Sequence, residues 1–209
     1  MGVSVAVVDD HPLIRRGLAE AIREESDLNV AWTATSVAET MDKLQFEVPD
    51  VAVVDLVLTD GQGLDLVRDV KKKHINTKIL VSSMQDETVY ANRCLKAGAH
   101  GFIGKSEPVE TLIDAVRLIV NDQIYLSPKM TSRMLQNIGS PNEADGVERL
   151  SDRELQVLEM IGTGKDTKSI AKEMHVSPKT IDSFRERIKS KLQISNATEL
   201  MHFAVRRTM

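Results

Sequence analysis

The sequence has a single cysteine, Cys94, among its 209 residues. No disulfide can form within the chain, so a small fold stapled by disulfides is excluded, and a reducing compartment such as the cytoplasm is expected. Long apolar runs are missing too: none approaches the roughly 20 residues that carry a helix across a bilayer, and no membrane span is expected. The opening residues, MGVSVAVVDD, contain no Lys or Arg and reach acid at Asp9, which is unlike a secretory signal. Met1-Gly2 begins a myristoylation pattern, but Ala6 stands where that pattern has Ser or Thr. A glycine-rich phosphate loop is also lacking. The first apolar run ends in Asp-Asp-His-Pro with no G-x-G-x-x-G, which argues against a dinucleotide-binding domain.

What is present suits two domains: the length is right, and 42% apolar residues can build a core. The net charge of −4 conceals a split. Residues 150–209 carry 11 Lys/Arg and 8 Asp/Glu, a net +3, while the first 149 residues carry 16 and 23, a net −7. An acidic front and a basic tail suggest separate partners, although so small an excess does not by itself establish nucleic-acid binding.

The front half is organised around VAVVDLVLTDGQG, Val51 to Gly63. A short valine-rich run closed by turn residues reads as a strand buried on both faces of a parallel sheet, with Asp55 at its carboxyl end. Open α/β sheets bind their ligands at that end. Three further runs end in polar groups: Val3–Val8 in Asp9-Asp10, Lys78–Ser83 in Ser83, and Gly101–Gly104 in Lys105. Leu28–Thr33 supplies a fifth strand. Helical patterns lie between them: from Pro12, over Val37–Phe46 behind Ser36 with Glu39 at capping-box spacing, over Gly63–His74, over Asp86–Ala97 stopped by Gly98, and over Ser106–Val120 with Pro108 in the first turn. This alternation predicts a doubly wound, five-stranded parallel sheet of the flavodoxin-like kind.

If the first and third strands are neighbours, Asp9, Asp10 and Asp55 converge and repel one another. A divalent cation such as Mg²⁺ resolves that conflict. With a lysine and a hydroxyl donor added, the set matches phosphoryl transfer: Asp55 as nucleophile, a metal, Lys105 as cation and Ser83 as donor. Taken singly, each residue has a plainer reading. An acid pair at a strand end is usually a turn or cap, a lone lysine a solvated charge, a serine a cap. Four of the five strand ends carrying these groups in order favour the joint reading.

These motifs, VVDDHP, VVDL around Asp55, SSM at Ser83-Met84, and GFIGK with Phe102 and Lys105, resemble the receiver domain of two-component response regulators over roughly residues 3–121. The resemblance implies that Asp55 accepts phosphate from a histidine kinase. It also implies that Asp10 ligates Mg²⁺ directly, Asp9 through water, and Val57 through its carbonyl oxygen. Ser83 and Lys105 then hold the phosphoryl group, and Phe102 is the aromatic switch that packs inward as Ser83 moves. One departure stands out. The family often carries M-P-x-x-x-G after the acceptor, and here Val57-Leu58-Thr59-Asp60-Gly61 has no proline.

Residues 122–148 read as a connector, with a short helix behind Ser127-Pro128 and a polar, glycine-bearing linker over 139–148. From 149 onward only helical periodicity appears. SDRE, Ser151–Glu154, is a capping box before Leu155, Leu158 and Ile161. Asp166 or Thr167 caps a short helix, and Ser177-Pro178 opens another over Lys179–Leu192. Ser195 caps a last one. In the third helix Ile181, Phe184, Ile188 and Leu192 fall within about 80° at 100° per residue and form the buried stripe. Lys179, Asp182, Ser183, Glu186, Arg187 and Ser190 lie opposite, and Arg185 is nearer the buried edge, able to reach a phosphate or to pair internally. Periodicity alone fits a helical bundle as well as a helix-turn-helix.

LSDRELQVLEMIGTGKDTKSIAKEMHVSPKTIDSFRERIKSKLQI resembles the LuxR-type output domain of the NarL/FixJ class over nearly its whole length. The implied protein is a cytoplasmic, phosphorylation-dependent transcriptional regulator and not an enzyme. It takes double-stranded DNA through Lys179, Thr180, Asp182, Ser183, Arg185, Glu186 and Arg187, and pairs as a homodimer when phosphorylated. Asp182 and Glu186 depart from the lysine or small residues of many relatives, and a carboxylate at Asp182 can accept from a cytosine N4 donor. Two rivals remain: a phospho-switch acting through protein contacts, and a Mg²⁺-dependent phosphohydrolase. The latter needs an acid two residues past its nucleophile, where this chain has Val57.

Overall fold

The computed structural model describes residues 2–137 and 146–208. The chain divides into two compact units, residues 1–136 and 137–209. The first contains β1 (Val3–Val8), α1 (Pro12–Glu24), β2 (Leu28–Ala34), α2 (Val37–Lys43), β3 (Val51–Val54), β4 (Val57–Leu58), β5 (Gly61–Gln62), α3 (Gly63–Lys73), β6 (Lys78–Ser83), α4 (Glu87–Ala97), β7 (Gly101–Gly104), α5 (Val109–Val120) and most of α6 (Pro128–Asn137). The second contains α7 (Asp152–Gly162), α8 (Thr167–Glu173), α9 (Pro178–Leu192) and α10 (Ala197–Thr208).

The five long strands form one parallel sheet in the order β2-β1-β3-β6-β7. Successive side chains of a strand face opposite ways, and the valine runs therefore feed two cores. Val5, Val7, Val51, Val53 and Leu80 join Ile22 of α1 and Leu112, Val116 and Ile119 of α5 on one face. Val8, Ala52, Val54, Ile79, Val81 and Phe102 join Leu64, Val67, Ala91 and Cys94 of α3 and α4 on the other. β1 and β6 flank β3, so the ends carrying Asp9, Asp55 and Ser83 lie side by side.

Several boundaries differ from expectation. α2 stops at Lys43, not near Phe46. Its cap Ser36 accepts from the Glu39 N–H, but the Glu39 carboxylate turns to the N–H and hydroxyl of Thr35, so the box is not closed on Ser36. α5 starts at Val109, with Pro108 as its N-cap and not within the first turn. The loop after Asp55, which lacks the family's proline, is stiffened in another way. Val57-Leu58 and Gly61-Gln62 pair as a two-residue antiparallel hairpin, and the Asp60 carboxylate accepts from the Val37 and Ala38 N–H groups at the start of α2 at 2.7 and 2.9 Å.

The helix expected behind Ser127 packs on the first unit. Met130 is buried within the α3/α4 core, with Leu126 and Met134 against it. Most of the linker expected over 139–148 lies outside the described residues. After it, Val147–Arg149 form one 3₁₀ turn.

In the second unit the Ser151–Glu154 capping box is complete. Asp166 caps α8 through the Ser169 N–H, and Ser177 caps α9 through the Thr180 N–H. Between those helices His175 takes a left-handed φ of 53° to turn the chain. The cap of α10 is Asn196, whose side chain accepts from the Glu199 N–H. Ser195, expected in that role, instead donates its own N–H to the Glu199 carboxylate.

Candidate functional site

The end of β3 delivers Asp55 into a buried acidic pocket. Lys105, just past β7, reaches Asp55 Oδ2 at 2.7 Å and Asp9 Oδ2 at 2.8 Å, and all three side chains are at most 4% exposed. The Lys105 N–H also bonds to the Ser83 carbonyl, which ties the ends of β6 and β7 together. Burial pushes the Asp55 carboxyl above the usual carboxylate range, and the Lys105 hydrogen bond only partly offsets it. Burial opposes the charge on Lys105, but hydrogen bonds from it to Asp55 and Asp9 hold its pKa above the ordinary lysine value.

His11, at the N-cap of α1, does not cap with its side chain. Its ring turns back to the acids, with Nδ1 3.3 Å from Asp9 Oδ1 and 2.8 Å from Asp10 Oδ1. That second contact lacks hydrogen-bond geometry, so Asp10 Oδ1 is a buried oxygen that accepts no hydrogen bond. Ligand atoms of Asp9, Asp10, His11 and Asp55 all lie within 4.8 Å of one another. Three carboxylates against one lysine leave an excess of negative charge, and an orphaned oxygen faces it. These residues fit a hard divalent cation.

Ser83 is buried at the end of β6, where its hydroxyl accepts from the Gln85 N–H at 3.2 Å. Phe102 is fully buried in the α3/α4 core, its ring already inward. Val57, at the head of the hairpin, has a half-exposed side chain. Arg15 had no place in the sequence expectations, yet it donates from α1 to the Asp9 carbonyl at 2.8 Å and steadies the acid turn.

The other candidate surface is α9. Ile181 and Ile188 are fully buried, and Phe184 and Leu192 are half-buried, as the helical stripe predicts. Lys179, Asp182, Ser183, Glu186, Arg187 and Ser190 are all exposed. Arg185 takes the internal option, donating to the Thr167 hydroxyl of α8 at 3.2 Å. Thr180 is half-buried, and its hydroxyl is engaged with Ser177 Oγ at 2.8 Å in the helix cap. Glu186 pairs with Lys189 at 2.9 Å, and the Arg187 guanidinium lies 6.0 Å from the centre of the Phe184 ring. Beneath the face, buried Glu154 of α7 accepts from Lys191 at 2.6 Å and fixes the end of α9. Burial opposes its ionisation, but Lys191 and Ser151 hold its pKa below the ordinary value.

Comparison with known proteins places both units. Residues 5–117 match the family model of the response regulator receiver domain, and residues 148–204 that of bacterial regulatory proteins of the luxR family. The chain belongs to the response regulators. It is a phosphorylation-dependent, DNA-binding regulator of transcription. Among similar proteins, the oxygen regulatory protein NreC of Staphylococcus carnosus is 32% identical over 216 residues, 99% of each chain. A putative transcriptional regulator of Pseudomonas aeruginosa is 33% identical over 202 residues, 97% of each. Among solved structures, RcsB from Salmonella enterica serovar Typhimurium, bound to promoter rprA in the presence of phosphomimetic BeF₃⁻, has a TM-score of 0.73 at 23% identity, covering 98% of this chain and 99% of that one. That likeness is one of fold. For this response regulator, the relatives named as regulators point away from a turnover enzyme.

Proposed function

We propose that Asp55 is the phosphoacceptor of this response regulator and that a histidine kinase is the donor. The observation that carries this reading is a buried carboxylate at the end of the central strand, held at 2.7 Å by a buried lysine and flanked by two more acids. An Asp55 oxygen bonds to phosphorus as the N–P bond of the kinase phosphohistidine breaks and the imidazole keeps the electron pair. Asp9, Asp10, Asp55 and the Val57 carbonyl would hold Mg²⁺, which would neutralise carboxylate and phosphoryl oxygens there. Lys105 stands ready to pair with the new phosphoryl charge, and the Ser83 hydroxyl to donate to it.

On α9, Lys179 and Arg187 bind phosphates while Asp182 and Ser183 face base edges. Thr180 and Arg185, engaged within the unit, position the helix, and Glu186 orders Lys189 beside the groove. Phosphorylation favours a homodimer on paired half-sites, since one such unit buries little surface on DNA. The work is done in the cytoplasm, in keeping with a chain whose single cysteine is buried and can form no internal disulfide.

The test is selection of binding sites from random duplexes with and without beryllofluoride, for the wild type and Asp55→Asn. Beryllofluoride should tighten sequence-specific binding and promote dimers in the wild type alone. Equal binding in every arm would remove phosphorylation control. Asp182→Ala should relax preference at one base of each half-site, and an unchanged site would exclude Asp182 from readout.

A further inference from the structure

The edge of the receiver sheet is closed by the chain that leaves it. Tyr125 pairs in parallel with Gly101 of β7, its N–H bonding to the His100 carbonyl at 3.0 Å and its carbonyl accepting from the Phe102 N–H at 3.1 Å. Two residues on, Ser127 is gripped by Glu87 in the first turn of α4. One carboxylate oxygen accepts from the Ser127 N–H at 3.0 Å, and the other from its hydroxyl at 2.6 Å. The same hydroxyl accepts from the Met130 N–H and so caps α6. Both Glu87–Ser127 bonds are charge-assisted and join residues 40 apart in sequence.

Glu87 lies only four residues past Ser83. The segment between is short and internally braced: the Gln85 N–H bonds to the Ser83 hydroxyl, and Asp86 caps α4 through the Thr88 N–H and hydroxyl. A displacement of Ser83 is therefore passed to the first turn of α4. The space for it exists. A cavity of about 200 Å³ is lined by Ser83, Glu87, Phe102, Tyr125 and Ser127 together with the loop between them. The phosphate-sensing hydroxyl and the connector share that one cavity.

We infer that Glu87, Ser127 and Tyr125 form a clasp that holds the connector on the edge of β7, and that phosphorylation at Asp55 opens it. This rests on the reading of Asp55 as phosphoacceptor. As Ser83 moves toward the phosphoryl group, its hydroxyl leaves the Gln85 N–H, the α4 start shifts, and Glu87 withdraws from Ser127. α6 then loses its cap and its polar tether together, so that the connector is held only by the Tyr125 backbone bonds and by the packing of Leu126, Met130 and Met134, and is released more readily to serve the output unit as a longer link. Glu87 is a positioning residue: it touches neither the phosphate nor the metal ligands.

Hydrogen–deuterium exchange on the full-length chain, with and without beryllofluoride and Mg²⁺, tests this. In the wild type the Tyr125 and Ser127 amides should exchange slowly at rest and at least about tenfold faster with beryllofluoride, the lower bound set by the loss of even one charge-assisted bond. Glu87→Ala should show the fast rate at rest, with little further change on adding beryllofluoride. Ser127→Ala, which keeps the backbone bond, should fall between, and Asp55→Asn should stay slow throughout. If beryllofluoride alters exchange over 83–87 while residues 122–137 stay protected, the acceptor reading stands and the clasp is wrong. If neither segment responds, the acceptor reading fails and the clasp falls with it. Fast exchange of residues 122–137 in the resting wild type would also overturn the clasp.

Discussion

Lys105 touches Asp9 at 2.8 Å and Asp55 at 2.7 Å from a site that water hardly reaches. Replacing it by methionine keeps the packing of its stem but leaves the buried carboxylates of Asp9 and Asp55 without the cation between them. Removing one partner of a buried pair costs about 3–5 kcal/mol. Urea unfolding of Lys105→Met in EDTA should show a loss of that order, and Asp55→Asn in the same chain should restore much of it, because the repulsion is then gone. A loss below about 1 kcal/mol would mean the ammonium is dispensable to the resting pocket.

A second residue sets an acid limit. His100 accepts from the Ile79 N–H on Nδ1, which requires that nitrogen unprotonated. Burial first, and then Lys71 and Lys78, push its pKa down to about 4. The unfolded chain, with an ordinary histidine near 6.5, binds the proton more readily. The contribution of His100 is therefore fully present above about pH 6.5 and is lost as pH falls toward 4. His100→Gln should flatten that part of the stability profile of the first unit, and an unchanged slope would assign it to other groups.

At the scale of elements, what could be read in advance depended on the range of the interaction. Asp9, Asp55, Ser83 and Lys105 stood out because each ends a short apolar run, and burial on both faces of a parallel strand leaves little room for polar residues elsewhere. The caps Ser151 and Ser177 were legible because they act across three residues, and the third, left open between Asp166 and Thr167, is Asp166. Asp60 capping α2 across 23 residues, and Glu87 holding Ser127 across 40, leave no periodic trace. At the start of α10 Ser195 and Asn196 are both good caps, and composition does not choose between them.

Gly63 belongs with the contacts that could not be foreseen. It opens α3 directly beneath the Asp55 loop, and a Cβ there would stand 2.0 Å from the Asp55 carbonyl oxygen and 2.6 Å from Leu56 Cα. Both obstacles are backbone, and the Gly63 N–H is bonded to the Leu56 carbonyl at 2.8 Å, so the helix cannot slide away. Gly63→Ala should destabilise the first unit by about 2–4 kcal/mol and, with Asp55 as the proposed acceptor, weaken beryllofluoride binding, because the strain falls on the Asp55–Leu56 peptide. Gly17→Ala is the control, since a Cβ there meets nothing within 4 Å. Comparable losses in the two variants would discount the close approach.

For the whole molecule, the charge split limits how DNA can be held. Residues 150–209 carry a net +3, and part of the charge on α9 is internally committed: Arg185 to Thr167, Lys189 to Glu186, Lys191 to Glu154. Lys179 and Arg187 remain on the exposed face of α9; with these as its phosphate contacts, as proposed, one unit should neutralise few phosphates and its affinity should fall only gently with salt. Two units on two half-sites double that slope and add the specificity of both. Binding should then depend on the phase of the DNA helix. Inserting about 5 bp between selected half-sites turns one half-site to the opposite face and should abolish the beryllofluoride-dependent complex, while about 10 bp should restore part of it. The slope of log affinity against log salt should drop by about 2 in the Lys179→Ala dimer, one phosphate contact per unit. Binding indifferent to spacing would mean that each unit acts alone, and phosphorylation would then have to act within one chain.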